Sequence, residues 1–385
     1  MFKSINAFLA AVIIAGGISF SASAQMPFAS PDAQAKTFIE TLAKGDFASA
    51  EKHFDSEMRT GLPQDKLQET WQALETQTGK FKRLASSKTK RDGEFQVVIA
   101  TCEFEKAYLD IIVSFDKNRQ VAGLFFKPSD RYEAPDYVKM DSFSEKELFV
   151  GDGEWKLPAT LSLPQGQGPF PAVVLVHGSG PADRDESIEA NKPFRDLAWG
   201  LASQGIAVLR YEKRTRQYPE KCAAISNFTV KDETVDDALA AVSLLKKCDG
   251  IDSKRIFVLG HSLGGMLIPR IGQQLGGSAA GFIIMAGTNR PPEDAMVKQT
   301  EYIISLEGHG SKEELALLAE MKAQAAKIKA LKDSDADAKE PILGAYAAYW
   351  LDLRKYNPTE EAKTLKGKIL VLQGARDYQV TMAEF

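Results

Sequence analysis

Two patterns of apolar residues divide this chain. Over residues 33–43 and 47–54 the apolar positions fall at helical spacing, and residues 66–75 continue it. Strand-like runs follow at 95–104, 108–115 and 121–126. Helices first and a meander second predict a small α+β domain over residues 25–135. A stretch rich in Pro, Asp and charge at 128–137 reads as its linker. The pattern then changes. Residues 147–151 and 157–163 read as a strand hairpin. Continuous apolar runs at 172–176, 207–211, 256–259 and 282–286 alternate with helical segments at 194–203, 234–246 and 264–275. Strands apolar on both faces predict a parallel sheet covered by helices, a doubly wound α/β domain over residues 140–385. From 288 to 365 the sequence is helical and charged, with helices expected at 313–332 and 346–354. That insertion far exceeds an ordinary loop of about 4–6 residues and reads as a lid. A strand returns at 368–372.

Composition narrows the class without changing this division. A chain of 385 residues suits two domains. Its 44% hydrophobic and 26% charged residues are globular values. The net charge of −4 and the absence of a long basic stretch exclude nucleic acid as a partner. Residues 1–24 have the form of an export signal: Lys3, an apolar run over 7–20, then Ala22-Ser23-Ala24 before Gln25. The run falls short of the roughly 20 residues that span a bilayer. The mature protein is therefore expected to be periplasmic or secreted, with no stable membrane anchor after cleavage. The three cysteines, Cys102, Cys222 and Cys248, are expected as free thiols, because a helix over 230–247 would carry Cys248 away from Cys222.

Candidate chemistry sits at the ends of the predicted strands. Gly260-His261-Ser262-Leu263-Gly264-Gly265 follows an apolar strand and precedes a helix. A nucleophile elbow needs that context: glycines two residues before and after the serine remove Cβ atoms that would collide, and the hydroxyl stands clear of the sheet. His177-Gly178-Ser179-Gly180-Pro181 ends another buried strand. Its backbone turn makes the Ser179 amide, with that of Leu263, the expected oxyanion hole. His177 is expected to brace this loop from beneath, and His261 to point away from the serine. Asp377, in the turn after 369–372, is expected to orient a catalytic histidine. Asp183, Arg184 and Asp185 are read as an ion-pair network with Arg210, Lys213 or Arg214 that shapes the oxyanion loop. His53 is read as a helix-surface or packing residue of the first domain rather than a ligand.

These motifs resemble those of the α/β-hydrolases, in particular the serine aminopeptidase-like or dienelactone-hydrolase-like esterases. The stretch from His177 to Asp185 is similar to a His-Gly-Ser-Gly-Pro-x-Asp-Arg-Asp signature within them. Arg210-Tyr211-Glu212-Lys213-Arg214 resembles a second signature, with Glu212 where Asp is usual. The first domain, through A-x-x-F-I-E-x-L-x-x-G-D-F-x-x-A-x-x-x-F, resembles small cystatin-like or nuclear-transport-factor-like domains. The resemblance implies hydrolysis of a small-molecule carboxylic ester through an acyl-enzyme, without metal or organic cofactor. Two other functions stay open. A serine peptidase of the same fold would need acids near the lid to anchor an N-terminal amine, for which Glu301, Glu307 and Asp352 are candidates. A non-catalytic binding protein would work through the first domain.

One departure from the resemblance matters. Such hydrolases carry a further strand and a histidine loop after the aspartate. This sequence stops at Phe385, and none of His53, His177, His261 and His309 stands where that histidine belongs. The sequence is therefore read as a fragment lacking the C-terminal strand and histidine loop, with the 369–372 strand left as an open edge. Expressed as these 385 residues alone, it is expected to hydrolyse esters about 10⁴–10⁶-fold more slowly than the longer product. A kcat comparison checks this, and near-equal turnover would refute it.

Overall fold

The computed structural model describes residues 30–129, 131–306, 308 and 310–385. The segment expected to be an export signal, Glu307 and His309 lie outside the described residues. The chain forms two compact units, one of the residues up to Glu133 with Glu189–Asn191, the other of Ala134–Ile188 with Lys192–Phe385.

The first unit opens with helices α1 (Pro31–Ala43), α2 (Phe47–Glu51), α3 (Ser56–Gly61) and α4 (Gln64–Thr78). Pro31 sits at the start of α1, where its missing N–H costs nothing, and the Ser30 side chain caps the Ala33 amide. Ala35, Phe38, Ile39 and Leu42 are buried, the i, i+3, i+4, i+7 stripe of an amphipathic helix. The strands β1 (Phe81–Asp92), β2 (Phe95–Phe104), β3 (Tyr108–Phe115) and β4 (Val121–Pro128) form an antiparallel sheet in chain order. Every second residue of β2 and β3 faces the helices: Val98 pairs with Val113, Ala100 with Ile111 and Cys102 with Leu109, all buried. β1 was not expected from the sequence. Its run of Lys, Arg and Ser has no alternating face, and most of it is exposed. It exists because β2 offers an unpaired edge, and its lysines and arginines keep its own outer edge from further pairing.

The second unit holds a seven-stranded sheet. Its strands are β5 (Phe143–Val150), β6 (Leu157–Pro164), β7 (Phe170–Val176), β8 (Ala207–Tyr211), β9 (Ile251–His261), β10 (Gly281–Met285) and β11 (Lys368–Leu372). The spatial order is β11-β10-β9-β7-β8-β6-β5. From β8 to β11 neighbours are parallel, and β6 and β5 add antiparallel at one edge. The sheet is thus the mostly parallel, doubly wound one the sequence predicts. The helices are α5 (Pro193–Ala202), α6 (Arg214–Gln217), α7 (Pro219–Ala223), α8 (Asp236–Leu245), α9 (Leu263–Leu275), α10 (Pro292–Leu306), α11 (Lys312–Ala330), α12 (Ala347–Arg354) and α13 (Pro358–Thr364). Both faces of β7 are buried because helices cover both. Val173 and Leu175 pack with Phe194 and Ala198 of α5. Ala172, Val174 and Val176 pack with the α8 and α9 side.

The chain runs from β7 outward to β8, then crosses back to β9 on the other side of β7. This reversal leaves a crevice at the carboxyl ends of β7 and β9. The insertion between β10 and β11 has two parts. Ile328, Trp350, Leu353 and Tyr356 belong to the main core, and the Tyr356 hydroxyl donates to the Met266 carbonyl at 2.6 Å. Leu306, Leu315 and Leu317, in α10 and α11, are more than half exposed. At the far edge, Ile369 to Leu372 of β11 are 40–51% exposed. Cys102, Cys222 and Cys248 are all free.

Where α9 crosses the end of β7 there is no room for a side chain. A Cβ on Gly264 would lie 2.5 Å from the Val176 carbonyl oxygen and 2.6 Å from that of His177. Backbone cannot rotate out of the way, so Gly264→Ala is expected to destabilise the second unit by about 1–3 kcal/mol or more. Urea unfolding measures this, and a variant as stable as the parent would contradict the close approach.

Candidate active site

The turn after β9 builds the site. Ser262 has φ 51° and ψ −113°, a conformation that costs a residue with a Cβ of order 1–3 kcal/mol. The surroundings hold it there. Its amide donates to the Met285 carbonyl of β10 at 3.0 Å, and its carbonyl accepts the Met266 amide at 2.8 Å as α9 begins. A Cβ on Gly260 would fall 2.3 Å from the Gly264 carbonyl oxygen, so strand and helix close on each other only because neither carries a side chain there. The Leu263 amide, in the first turn of α9, has no intrahelical partner.

The loop after β7 lies against this turn. A Cβ on Gly178 would stand 3.2 Å from the Ser262 Cβ. The Gly178 peptides are gripped on two sides: its amide donates to Glu186 Oε1 at 2.7 Å, and its carbonyl accepts from Lys213 Nζ at 2.7 Å. Among the described residues neither the Ser179 nor the Leu263 amide has a backbone acceptor. Both are available to a ligand. His177 lies beneath, its ring tilted against Phe194 and edge-on to Tyr211, with Nε2 3.1 Å from the Asp183 carbonyl. Burial pushes its imidazole down to about 4. His261 turns toward the other side, where its Nδ1 lies 2.8 Å from Glu186 Oε2. Burial disfavours its charge, but the Glu186 carboxylate, and beyond it that of Asp377, outweigh this and hold its pKa above the ordinary value.

Asp377 ends the turn after β11, on the same end of the sheet as Ser262. Met285 of β10 pairs with His261 on one side and Leu372 on the other, so the two turns leave the sheet at one level, about 10 Å apart at ordinary strand spacing. Asp377 Oδ1 accepts the Gln379 and Val380 amides at 2.9 and 3.1 Å, while Oδ2 accepts Gln373 Nε2 at 3.3 Å. The carboxylate caps its own turn and is fixed by it. A cavity of about 310 Å³ lies beside it, lined among others by Arg290, Tyr302, Arg376 and Tyr378. The rings of Tyr302 and Tyr378 stack at 4.9 Å.

The charged residues expected to form one network form several. Asp185 binds buried Arg210, which also meets Glu145. Arg184 reaches Glu212 and Glu147 at 2.8 and 2.7 Å. Asp183 accepts the Asp185 and Ser187 amides of its own loop. Lys213 and Arg214 pair instead with Glu233, in the turn that leads into α8, and Asp237, in the first turn of α8. The sequence reading missed Glu186 and Glu233. Glu186 follows the Asp-Arg-Asp run directly and holds φ 51°, but nothing in its spacing reveals that it reaches back to Gly178. Glu233 sits in a π-turn over Lys231–Val235, an irregularity often found at functional sites. Of the acids considered as amine anchors, Glu301 is engaged by Lys298 and Lys322 and Asp352 by Arg270, while Glu307 lies outside the described residues. Among the described residues no group of three His, Cys, Asp or Glu is placed to hold a metal ion.

A doubly wound sheet with a strained serine between β9 and α9, at the reversal of strand order, defines a hydrolase architecture. Residues 173–383 match the alpha/beta hydrolase family, and the chain belongs to it. It is 39% identical over 358 residues to the esterase EstD of Thermotoga maritima, covering 92% of this chain and 82% of that protein. Residues 35–124 match a family described as a protein of unknown function, DUF3887. Among solved structures, Est1E from Butyrivibrio proteoclasticus aligns with a TM-score of 0.40 at 15% identity, over 62% of this chain and 81% of that one. An acylaminoacyl peptidase from Pyrococcus horikoshii aligns with a TM-score of 0.43 at 14% identity, over 80% and 43%.

The buried His177 couples folding to pH. Folded, its imidazole takes a proton only near pH 4; unfolded, it does so near 6.5. Between these values the unfolded chain binds the extra proton, so stability falls as pH drops from 6.5 to 4, by at most about 3 kcal/mol. Thermal unfolding across this window is expected to show a shallower pH dependence in His177→Asn than in the parent. Identical slopes would mean that His177 is charged in the fold.

Proposed function

We propose that this chain is the body of a carboxylic ester hydrolase that works through a serine acyl-enzyme. The observation that carries the reading is the left-handed turn at Ser262, set against the Gly178–Ser179 loop with two peptide N–H groups uncommitted. Ser262 Oγ attacks the ester carbonyl. The electron pair moves to the carbonyl oxygen, which the Ser179 and Leu263 amides receive at about 2.7–3.1 Å. On this reading the base is a histidine other than His53, His177, His261 and His309. It takes the hydroxyl proton and passes it to the departing alkoxide as the ester C–O bond breaks. Asp377 Oδ2 accepts that histidine's Nδ1–H and stabilises the imidazolium. Water, activated by the same histidine, then cleaves the acyl-serine. His177 and His261 do not serve as the base on this reading. The first is buried neutral beneath the loop, and the second faces Glu186.

Ester rather than peptide cleavage is favoured by the pairing of Glu301 and Asp352 with cations, which leaves neither free to anchor a substrate ammonium. The similarity to EstD points the same way. The binding-protein alternative predicts no reactive serine at all. A fluorophosphonate probe on the full-length gene product separates these readings. It is expected to label Ser262, and Ser262→Ala is expected to abolish labelling and to lower p-nitrophenyl acetate turnover by about 10⁴–10⁶-fold. A full-length product that neither labels nor hydrolyses would overturn the proposal.

A further inference from the structure

Lys213 is 2% exposed, far below what its charge would choose, and it binds two things. One is Glu233 Oε1 at 2.5 Å; the other is the Gly178 carbonyl oxygen at 2.7 Å. Glu233 is itself buried, and its second oxygen accepts the Tyr349 hydroxyl at 2.7 Å. Tyr349 belongs to α12, in the helical insertion. A continuous chain of hydrogen bonds thus runs from the insertion, through Glu233 and Lys213, to one peptide of the loop after β7.

That peptide joins Gly178 to Ser179. In a trans peptide the C=O and the following N–H point in opposite directions. An ammonium fixed on the Gly178 oxygen therefore fixes the Ser179 N–H to point away from Lys213. The preceding peptide is held as well, since its Gly178 N–H donates to Glu186 Oε1, so the planes on both sides of the Gly178 Cα are each fixed by a bond to a charged group. The cation also draws electron density from the carbonyl and makes the Ser179 N–H a stronger donor, the polarisation that linked hydrogen bonds show in a low dielectric. A buried ion pair is weak as a source of stability. A role in holding one peptide against the nucleophile accounts for it better.

We propose that Lys213 is a positioning residue of the oxyanion hole, and that Glu233 and Tyr349 tie it to the helical insertion. The seating of α12 then sets how well the hole is formed. This rests on the Ser179 amide's role in the ester-hydrolase reading.

The test uses the full-length gene product with p-nitrophenyl acetate and a trifluoromethyl ketone as the tetrahedral analogue. Lys213→Met combined with Glu233→Gln removes both charges at near-constant volume. It is expected to lower kcat by about 10²–10³-fold, as for loss of an oxyanion donor, with KM changed less than about threefold and the ketone's affinity falling in parallel with kcat/KM. Tyr349→Phe leaves the Lys213–Glu233 pair intact and is expected to lower kcat by roughly three- to tenfold, the scale of one ordinary hydrogen bond. A folded double variant with parental kcat and ketone affinity overturns the proposal, as does a fall in activity carried by KM alone. Should the double variant not fold, an unchanged kcat in Tyr349→Phe overturns it. A parent enzyme whose turnover does not depend on Ser262 removes the ester-hydrolase reading and this inference together. A Ser262-dependent parent with unaffected variants removes this inference alone.

Discussion

The site depends on a close passage of backbone past backbone. Where β9 turns into α9, the Gly264 Cα faces the carbonyls of Val176 and His177, and Gly260 faces the Gly264 carbonyl. No side chain fits at either place. Because strand and helix approach so tightly, the residue between them has to reverse direction within one peptide, which forces Ser262 to a positive φ. The reversal puts the Leu263 amide at the free start of a helix and presses the turn against Gly178. Three features that chemistry needs together, a raised hydroxyl, an uncommitted helix amide and a neighbouring loop, follow from the absence of two methyl-sized groups.

The loop after β7 has the opposite problem, since it lacks a helix or strand to define it. Charges define it instead. Arg210, beneath it, is 1% exposed and meets Asp185 and Glu145; Lys213 and Glu186 grip the two sides of Gly178. Each of these groups costs several kcal/mol to bring out of water, recovered only when geometry is good. A loop held by apolar packing would tolerate many nearby conformations of similar energy. One held by directional bonds to buried charges tolerates few, because any shift leaves a charge unpaired. Rigidity in an oxyanion loop matters because donors already oriented need no reorganisation as charge develops.

The parts of this structure readable from sequence are those in which local pattern and tertiary demand agree. β2, β3, β8 and β11 begin and end where their apolar runs do. The turn at Ser262 announces itself because glycine spacing is the physical requirement. β1 is invisible because its residues carry no signal; it is recruited by the edge of β2. The 230–247 segment was legible as a helix, but not the π-turn that opens it and carries Glu233 inward. Likewise Lys213 and Arg214 read as loop-shaping cations, but their partners, Glu233 and Asp237, lie on a helix some 20 residues on, and only the packing of that helix against β7 and β9 brings them together. Ion-pair partners have no periodicity, so composition suggests a network and coordinates are needed to draw it.

The insertion shows the same limit on a larger scale. Its length and charge suggest a free-standing lid, but charge pattern does not tell which face of a helix finds a core. Trp350, Leu353 and Tyr356 are each no more than 6% exposed, and each would forfeit about 1.5–3 kcal/mol if α12 left the body. Asp352 binds Arg270 of α9 at 2.8 Å, and Tyr356 binds the Met266 carbonyl one turn beyond the nucleophile. This part of the insertion is therefore attached to the same helix that Ser262 begins, while the cavity beside Asp377 is lined by Arg290, Ala295, Lys298 and Tyr302 from the α10 part. The α10–α11 part exposes Tyr302, Leu306, Leu315 and Leu317, but Ile328 near the end of α11 is buried in the main core, and Arg354 of α12 donates to the Ile328 and Leu331 carbonyls. Tyr349 lies in α12, so its bond to Glu233 is made from an element anchored on both α9 and α11.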